Sequence, residues 1–394
     1  MSKFFIIIAA FFLLYNCSSS SEDTGIEIAS YPNITATFKG SIDLNSLLNY
    51  ANQTKPVYIT KDNTGTNSIT DKGATLGRVL FYDKNLSSNN TISCASCHKQ
   101  VNAFGDDAVA SVGVNGTTTR HSMRLINSRF ADETKFFWDE RAATLEAQTS
   151  QPIQNHIEMG FSGTNGDLNL TGLITKLSAI GYYKELFQFV YGSEQITEAK
   201  IQNALAQFIR SIQSFDSKYD TGRALANGNN QNFTNFTAEE NLGKDIFQTA
   251  PVFDASGTRT GGGFGCAGCH RAPEFDIDPN SRNNGIIGNL GTTGIDITNT
   301  KAGTLRDLFK TNGTLNSPMM HTGQFTTLQQ VIGHYGNINI AVGNTNLDNK
   351  LRPNGQGQKL NVNATEVNAV IAFMKTLSGN NVYTDIKWSN PFPN

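Results

Sequence analysis

Cys94-Ala95-Ser96-Cys97-His98 and Cys266-Ala267-Gly268-Cys269-His270 are the two stretches that decide the fold of this 394-residue chain. They contain all of its five cysteines except Cys17. On one helical turn, residues i, i+3 and i+4 share a face, so one flat ligand can meet both sulfurs and the histidine. The CxxCH pattern is typical of covalent c-type haem attachment, in which the histidine ligates the iron.

A pair of zinc sites, or chance, is the alternative explanation of these motifs. A structural zinc ion takes four nitrogen or sulfur ligands that lie close together, whereas each motif supplies three. The two motifs are also far apart in the sequence. We therefore predict two covalently bound c-type haems, one attached by Cys94, Cys97 and His98 and the other by Cys266, Cys269 and His270.

Residues 1–17 are typical of an export signal, since Lys3 is followed by an apolar run from Phe4 to Tyr15 that is too short to span a bilayer. Cys17 and the serines after it resemble a bacterial lipoprotein leader, in which the cysteine is lipidated; a plain secretory leader is the alternative. Both predict a periplasmic or cell-envelope protein, and the lipoprotein leader further predicts a lipid anchor at Cys17 as its link to the membrane. Residues 18–45 are polar and predict a flexible tether.

The composition bears on partners and on the fold class. A net charge of -2, with 16% charged residues, offers no basic field for nucleic acid. Glycine, asparagine and threonine are abundant and proline is sparse. This predicts long irregular loops around helices, as expected where haem rather than secondary structure fills the core.

The chain repeats itself once. Leu76-Gly77-Arg78-Val79-Leu80-Phe81 precedes the first motif and Leu242-Gly243-Lys244-Asp245-Ile246-Phe247 precedes the second. Each predicts a helix that leads by a loop to a haem-binding turn, as in a cytochrome c domain. Helical periodicity also runs from Ile196 to Phe215 and from Glu366 to Leu377.

These elements predict a mainly α protein of two cytochrome c-like haem domains with long irregular loops. The border is expected near Ser217 to Asn232, which is rich in glycine and asparagine. We assign residues 46–218 to an N-terminal haem domain and residues 219–394 to a C-terminal one.

A more specific similarity extends over residues from about 70 to 380. The stretches that carry it are Gly77 to Asp83, Ser111 to Gly116, Phe137 to Ala142, Ala147-Gln148, Pro152-Ile153, Ile157 to Met159 and Pro318 to Gly323. In order and spacing they resemble the bacterial dihaem cytochrome c peroxidase family, which includes the MauG-like enzymes that oxidise a partner protein.

The resemblance implies that the N-terminal haem, on His98, is the peroxidatic one, with Gln148 and Glu158 in its distal pocket. A carboxylate over the iron can move a proton between the two oxygens of peroxide, and an amide can orient it. Trp138 matches the tryptophan between the two haems of the family, which is thought to carry electrons. The haem on His270 would then be the site of electron entry.

Two departures from the family pattern bear on the first iron. In many members a histidine after the first motif blocks the peroxidatic iron until the other haem is reduced. The matching position falls near Val114, which predicts an iron that is open without reductive activation. His121 could still act as a distal ligand, or it could form a hydrogen bond to the loop or to a haem propionate.

His156 is either polar support for the distal pocket or an exposed loop histidine.

The distal ligand of the second iron also departs from the common pattern. Many family peroxidases use a methionine at a fixed spacing after the histidine that matches His321, and the same spacing here falls on Tyr335. A tyrosine oxygen favours ferric iron, whereas methionine favours ferrous iron. We predict Tyr335 as the ligand, with Met320, Met319 and His334 as alternatives and His321 as a supporting neighbour.

The resemblance further implies a calcium ion between the domains, with carbonyl ligands from around Asn316 and Pro318. His121 stands where the family has an asparagine near that ion. Calcium nevertheless accepts backbone and water oxygens readily.

The sequence thus predicts an exported peroxidase that reduces hydrogen peroxide to water with electrons from a small redox protein, such as a cytochrome c or a cupredoxin. One alternative is a MauG-like dihaem oxidase that modifies a partner protein, which Tyr335 favours. Another is a non-enzymatic dihaem electron-transfer lipoprotein, which requires both irons to have two strong axial ligands.

Overall fold

The structure, a computed structural model, describes residues 30–316 and 318–393. The predicted leader at residues 1–17, with Cys17, lies outside the described residues, and so does the first part of the predicted tether. The chain from Tyr31 onward forms one compact unit. No helix in the described part of the chain is both long and apolar enough to cross a membrane.

Helices make up most of the regular structure. In the described residues the α-helices are α1 (Pro32–Phe38), α2 (Asp71–Tyr82), α3 (Cys94–Cys97), α4 (Leu145–Thr149), α5 (Leu170–Ser178), α6 (Gly181–Tyr191), α7 (Glu198–Ser211), α8 (Lys218–Leu225), α9 (Ala238–Gln248), α10 (Leu328–Gly336), α11 (Ala364–Lys375) and α12 (Asn381–Thr384). Two antiparallel hairpins pair β1 (Pro251–Phe253) with β2 (Arg259–Gly262), and β3 (His270–Arg271) with β4 (Asp276–Ile277). The prediction of a mainly α protein is confirmed.

The two repeated sequences form α2 and α9, as predicted. Both helices begin after a threonine cap: the Thr70 hydroxyl accepts the N–H of Gly73, and the Thr237 hydroxyl accepts that of Glu240. Such caps satisfy N–H groups that have no partner within the helix. The periodic stretches at 196–215 and 366–377 form α7 and α11, which end within a few residues of the predicted bounds.

A close helix crossing explains the glycine that the two repeats share. A Cβ on Gly77 in α2 would lie 2.0 Å from the carbonyl oxygen of Ala204 in α7. A Cβ on Gly243 in α9 would lie 1.8 Å from the carbonyl oxygen of Ala369 in α11. Since only glycine permits such an approach, each half of the molecule is built on one tight crossing that positions the loop leading to its CxxCH motif.

Two large hydrophobic clusters form the interior. The first contains buried residues between Ile34 and Ile212, and the second contains buried residues between Tyr219 and Leu377. The end of the chain returns to the first cluster, where Val382 and Trp388 are buried. The predicted domain of residues 219–394 therefore contributes its tail to the other half, and the boundary at 218/219 stays a prediction.

Two segments singled out for their polar composition contain ordered helices, and the prediction of a flexible tether is wrong from α1 onward. The predicted tether is ordered from α1 onward, because Ile34 and Phe38 are buried and the Glu185 carboxylate accepts the backbone N–H groups of Asn33 and Ile34, each at 2.9 Å. The predicted border region contains α8, which begins at a reciprocal Ser217–Asp220 cap. In both places a few specific contacts, rather than the polar composition, decide the structure.

Candidate functional site

The first CxxCH motif forms one helical turn. Cys94–Cys97 is α3, preceded by a capping box in which the side chains of Ser93 and Ser96 bond to the helix end. The Nδ1 atom of His98 lies 3.1 Å from the carbonyl oxygen of Phe104. Donation from Nδ1 leaves Nε2 as the ligating atom, the arrangement that orients metal-binding histidines. Burial lowers the pKa of His98 and so favours its neutral, ligating form.

The second motif is similar but not identical in its backbone. Cys266–Gly268 is a 3-10 turn, and His270 begins β3. Nδ1 of His270 is buried and forms no hydrogen bond of normal geometry with a described residue, although the backbone of Phe275 lies close enough to raise the pKa of the ring slightly against burial. Burial lowers the pKa of this imidazole to about 4. A buried neutral histidine suits a metal ligand.

Each motif opens onto a cavity of cofactor size. The cavity at the second motif has a volume of about 580 Å³ and is lined by Cys266, Cys269 and His270. A cavity of about 460 Å³ lies at His98, and a smaller one of about 80 Å³ reaches Cys94, Cys97 and His98. Such volumes are typical of pockets for small molecules and cofactors. The residues therefore fit two haems, each held by two thioether bonds and one histidine.

Glu158 and Gln148 line both cavities at the first motif. Neither side chain forms a hydrogen bond with another described residue, so the carboxylate and the amide are available to a bound molecule. Burial raises the pKa of Glu158, opposed by the positive charge of Arg141. A carboxyl group with a raised pKa suits proton transfer. The structure thus brings together the two residues predicted for the distal pocket.

The loop that carries Val114 is fixed against the segment that carries Glu158. The N–H of Val114 donates to the carbonyl oxygen of Glu158 at 3.1 Å, and the N–H of Asn115 donates to that of Ile157 at 3.2 Å. The residue at the position predicted for a blocking histidine is therefore an aliphatic side chain beside the distal pocket, where it cannot ligate iron.

Trp138 and His121 lie in a wall that the two large cavities share. The Trp138 indole nitrogen donates to the carbonyl oxygen of His121 at 2.7 Å, and the ring centroids of Trp138 and His321 are 5.9 Å apart. The backbone N–H of His121 in turn donates to the carbonyl oxygen of His321 at 2.7 Å. The structure thus places Trp138 between the two large cavities, and its role in carrying electrons stays a prediction.

The imidazoles of His121 and His321 are bonded to backbone carbonyl groups. Nδ1 of His121 lies 2.9 Å from the oxygen of Ala108, and Nε2 of His321 lies 2.8 Å from the oxygen of Gly288. Both histidines are buried. Each imidazole is therefore fixed by a hydrogen bond to a backbone carbonyl group, although both residues border the cavity at the second motif.

His156 and His334 do not line the cavities at the two motifs. Nδ1 of His156 lies 2.9 Å from a carboxylate oxygen of Asp167 on a half-exposed loop, which favours the loop interpretation of this histidine. Nε2 of His334 lies 2.9 Å from the carbonyl oxygen of Asn284, and the residue does not line the cavity at the second motif. Neither histidine is placed to ligate a metal there.

Tyr335 and Met320, the predicted ligand and its first alternative, both line the cavity at the second motif. The Asn284 amide lies 3.2 Å from the phenol oxygen of Tyr335 and 3.4 Å from the sulfur of Met320. Met319 also borders this cavity and belongs to the second hydrophobic cluster. Burial raises the pKa of Tyr335, opposed by the hydrogen bond from Asn284.

The predicted calcium ligands, Asn316 and Pro318, border the same cavity. The Asn316 amide donates to the carbonyl oxygen of Asp307 at 2.8 Å and to the hydroxyl of Tyr383 at 2.9 Å, while its own oxygen is buried and has no hydrogen-bond partner among the described residues. Residues 30–316 and 318–393 contain no group of three or more His, Cys, Asp or Glu side chains arranged to hold a metal ion. Calcium binding stays a prediction.

Two cations that the sequence did not single out line both large cavities. Arg124 donates to the carbonyl oxygen of Thr304 at 3.0 Å, and its Nε is buried without a partner. Lys301 donates to the carbonyl oxygen of Glu133 at 3.3 Å. Neither forms a salt bridge with a described carboxylate, so both can pair with the propionates of a bound haem. No local pattern marks such isolated cations in the sequence.

Comparison with known proteins agrees with this geometry. Residues 71–229 match a family model described as di-haem cytochrome c peroxidase. The matched region contains the first CxxCH motif, Trp138, Gln148 and Glu158.

Similarity to individual proteins extends over most of the chain. The methylamine utilization protein MauG of Methylophilus methylotrophus is 27% identical over 322 residues, 80% of this chain and 84% of that protein. Cytochrome c551 peroxidase of Nitrosomonas europaea is 26% identical over 324 residues, 78% of this chain and 80% of that protein. The crystal structure of a MauG-like protein associated with microbial copper homeostasis covers 86% of this chain and 99% of its own, with a TM-score of 0.65 and 27% identity.

Proposed function

Because the chain belongs to the di-haem cytochrome c peroxidase family, we propose that it is a peroxidase, which reduces hydrogen peroxide to water with electrons from a small redox protein. One observation carries the proposal: Glu158 and Gln148 present unbonded side chains to the cavities at His98. The aliphatic Val114 beside them supports a first haem that is open without prior reduction of the second.

Glu158 supplies the proton chemistry of the reaction. A haem held by Cys94, Cys97 and His98 would supply the redox chemistry that passes electrons to the peroxide. Glu158 takes a proton from the oxygen nearer the cofactor and returns it to the farther oxygen, so that the O–O bond breaks and water leaves. The Gln148 amide donates to the peroxide and orients it. In total, one peroxide, two electrons and two protons give two molecules of water.

The wall between the two cavities carries the electrons in this proposal. A donor such as a cytochrome c or a cupredoxin delivers them at the His270 side, and Trp138 is the aromatic side chain that borders both cavities. Its hydrogen bond to the His121 carbonyl and the neighbouring His321 ring hold the indole in that position.

Export and anchoring are further parts of the proposal. The leader at residues 1–17 directs the chain to the periplasm or cell envelope, and Cys17 carries a lipid that tethers it to the membrane. The support is the order of a basic residue, an apolar run and then a cysteine followed by serines. Mass spectrometry of the mature N-terminus tests it, since a diacylglycerol on Cys17 adds a defined mass.

A MauG-like oxidation of a partner protein is the second candidate, and the placement of Tyr335 favours it. The Tyr335 phenol lines the cavity at His270, where an oxygen ligand would favour the ferric state. Similarity to MauG of Methylophilus methylotrophus is as high as similarity to the peroxidase of Nitrosomonas europaea.

Steady-state peroxide consumption separates the two candidates. The as-isolated protein is mixed with hydrogen peroxide and either a reduced small cytochrome c or a reduced cupredoxin, and donor oxidation is followed optically. We expect sustained oxidation of at least one donor, at two donor molecules per peroxide. Negligible turnover with every donor, beside a peroxide-oxidised protein that persists, would contradict the peroxidase and favour the second candidate.

A further inference from the structure

The side-chain amide of Asn284 contacts both candidate ligands of the second haem. Its nitrogen lies 3.2 Å from the phenol oxygen of Tyr335 and 3.4 Å from the sulfur of Met320. Its oxygen accepts the backbone N–H of Ile286 at 3.1 Å. Because an N–H can donate only to the amide oxygen, this last bond fixes which end of the amide faces the cavity.

The loop around Asn284 is held by several further hydrogen bonds. The fully buried Asn283 donates from its amide to the carbonyl oxygen of Ile286 at 2.8 Å, and its oxygen accepts from the N–H of Gly285 and the amide of Asn344. The carbonyl oxygen of Asn284 bonds to the His334 ring. The two N–H groups of Asn284 are therefore presented by a rigid support, as a hydrogen-bond donor to a metal ligand requires.

Met320 adopts a constrained backbone conformation beside this amide. Its φ is +69°, in the left-handed region that residues other than glycine rarely occupy. Its carbonyl oxygen accepts the N–H of Gly323 at 3.0 Å, which closes a tight turn. Such local strain persists where the surrounding structure demands it, and it is frequent at functional sites.

We propose that Asn284 is the positioning residue for the distal ligand of the second haem: one N–H of its amide bonds to the oxygen of Tyr335, and the other keeps the sulfur of Met320 away from the metal. The inference rests on the proposed attachment of a haem at His270. An N–H donor on a ligand oxygen withdraws electron density from it, so Asn284 sets how strongly Tyr335 donates to the iron. An N–H on the sulfur engages one of its two lone pairs and holds the Met320 side chain beside the amide.

Two variants of Asn284 test the inference. Asn284→Asp keeps the oxygen that accepts the Ile286 N–H and removes both N–H donors, whereas Asn284→Leu removes them without adding a charge. Asn346→Leu is the matched control, because the half-buried Asn346 amide in the same region donates to the carbonyl oxygen of Ile297 and touches neither ligand. A pyridine haemochrome assay confirms that each variant retains two haems, and low-temperature EPR with a potentiometric titration reports on each iron.

Both Asn284 variants are expected to shift the EPR signal of the His270 haem and to leave that of the His98 haem unchanged. In Asn284→Leu the midpoint potential of the His270 haem moves downward, since the ligand oxygen loses a donor. Met320→Leu is expected to leave the His270 signal in place, because the sulfur is held off the metal. An unchanged His270 signal in both Asn284 variants, or its loss in Met320→Leu, would overturn the inference.

Failure of the inference is distinguishable from failure of the ligand assignment on which it rests. If Tyr335→Phe alters the His270 signal while both Asn284 variants leave it unchanged, Tyr335 is the ligand and Asn284 has no positioning role. If Tyr335→Phe also leaves the signal unchanged, the assignment of Tyr335 fails, and the inference fails with it.

Discussion

Trp138 donates a 2.7 Å hydrogen bond from its indole nitrogen to the backbone carbonyl oxygen of His121, within the wall that separates the two large cavities. Both residues border both cavities. The bond links the aromatic side chain best placed for electron passage to the segment that follows the first haem motif. A displacement of that segment would therefore also displace the indole.

Replacement of Trp138 by phenylalanine is expected to slow electron passage between the haems. Phenylalanine keeps an aromatic ring at this position but cannot donate the hydrogen bond to the His121 carbonyl. Its loss lowers the free energy of unfolding by about 1 kcal/mol. Stopped-flow mixing of the reduced protein with peroxide follows the oxidation of each haem. The matched control is Trp388→Phe, since Trp388 is buried in the first hydrophobic cluster and its indole nitrogen has no hydrogen-bond partner in the described part of the chain. Equal rates in the two variants would argue against a role for Trp138.

The carboxylate of Glu158 is expected to carry the proton transfer. Glu158→Gln preserves the shape of the side chain and both haems but removes the base, so turnover falls by about 10²-fold or more. The assay is donor oxidation at saturating peroxide. Glu239→Gln, on the exposed face of α9, serves as the control. Turnover that is unchanged in Glu158→Gln would end the assignment of this residue.

Tyr335→Phe is expected to alter the optical and EPR spectra of the His270 haem alone. The substitution removes one oxygen from the cavity and leaves the ring, so the packing around α10 is preserved. The spectra of the two haems are separated by comparison of oxidised and half-reduced samples. A change confined to the His98 haem would mean that the axial assignments are reversed.

A buried ion pair predicts how stability depends on pH. The fully buried Arg306 guanidinium bonds to both carboxylate oxygens of Asp220, at 2.9 and 3.0 Å. Burial alone would raise the pKa of Asp220, but the charge of Arg306, together with hydrogen bonds from Arg306, Ser217 and Tyr58, outweighs it and lowers that pKa. The contribution to stability is therefore complete above the unfolded pKa of about 3.9 and is lost as the pH falls through the lower folded value.

Asp220→Asn is expected to lose about 3–5 kcal/mol of unfolding free energy at neutral pH, because the arginine is left buried without a countercharge. The difference from the wild type shrinks as the pH falls below the unfolded pKa, where the wild-type carboxylate also gains a proton. Urea unfolding at neutral and acid pH measures both quantities. A difference that stays constant with pH would show that charge pairing is not the cause.

Local patterns account for the parts of the fold that the sequence predicts. The CxxCH motifs and the helices α2, α7, α9 and α11 depend on spacing within one element, which periodicity records. Gly77 and Gly243 could be recognised as equivalent from the repeat, although the helix crossing that requires them is visible only in the structure.

Long-range contacts account for the parts that the sequence does not predict. The ordered conformation of α1 depends on its contact with Glu185, which is distant in the sequence. Trp388 packs in the first hydrophobic cluster, most of whose members lie far from it in the sequence. The Asn284 amide reaches Tyr335 only because irregular loops without periodicity bring them together. Glu158 and Gln148 are predicted for the distal pocket by family resemblance alone, since a glutamate and a glutamine at that spacing carry no signal of their own.

The central claim is that the His98 haem has an open distal side beside Glu158 in the protein as isolated, without prior reduction of the other haem. A low-temperature EPR spectrum of the ferric protein tests it most directly. The account predicts one high-spin signal, from the His98 haem, and one low-spin signal, from the His270 haem. Two low-spin signals would contradict it, because a sixth ligand, with His121 the nearest candidate, would then occupy the site where peroxide must bind.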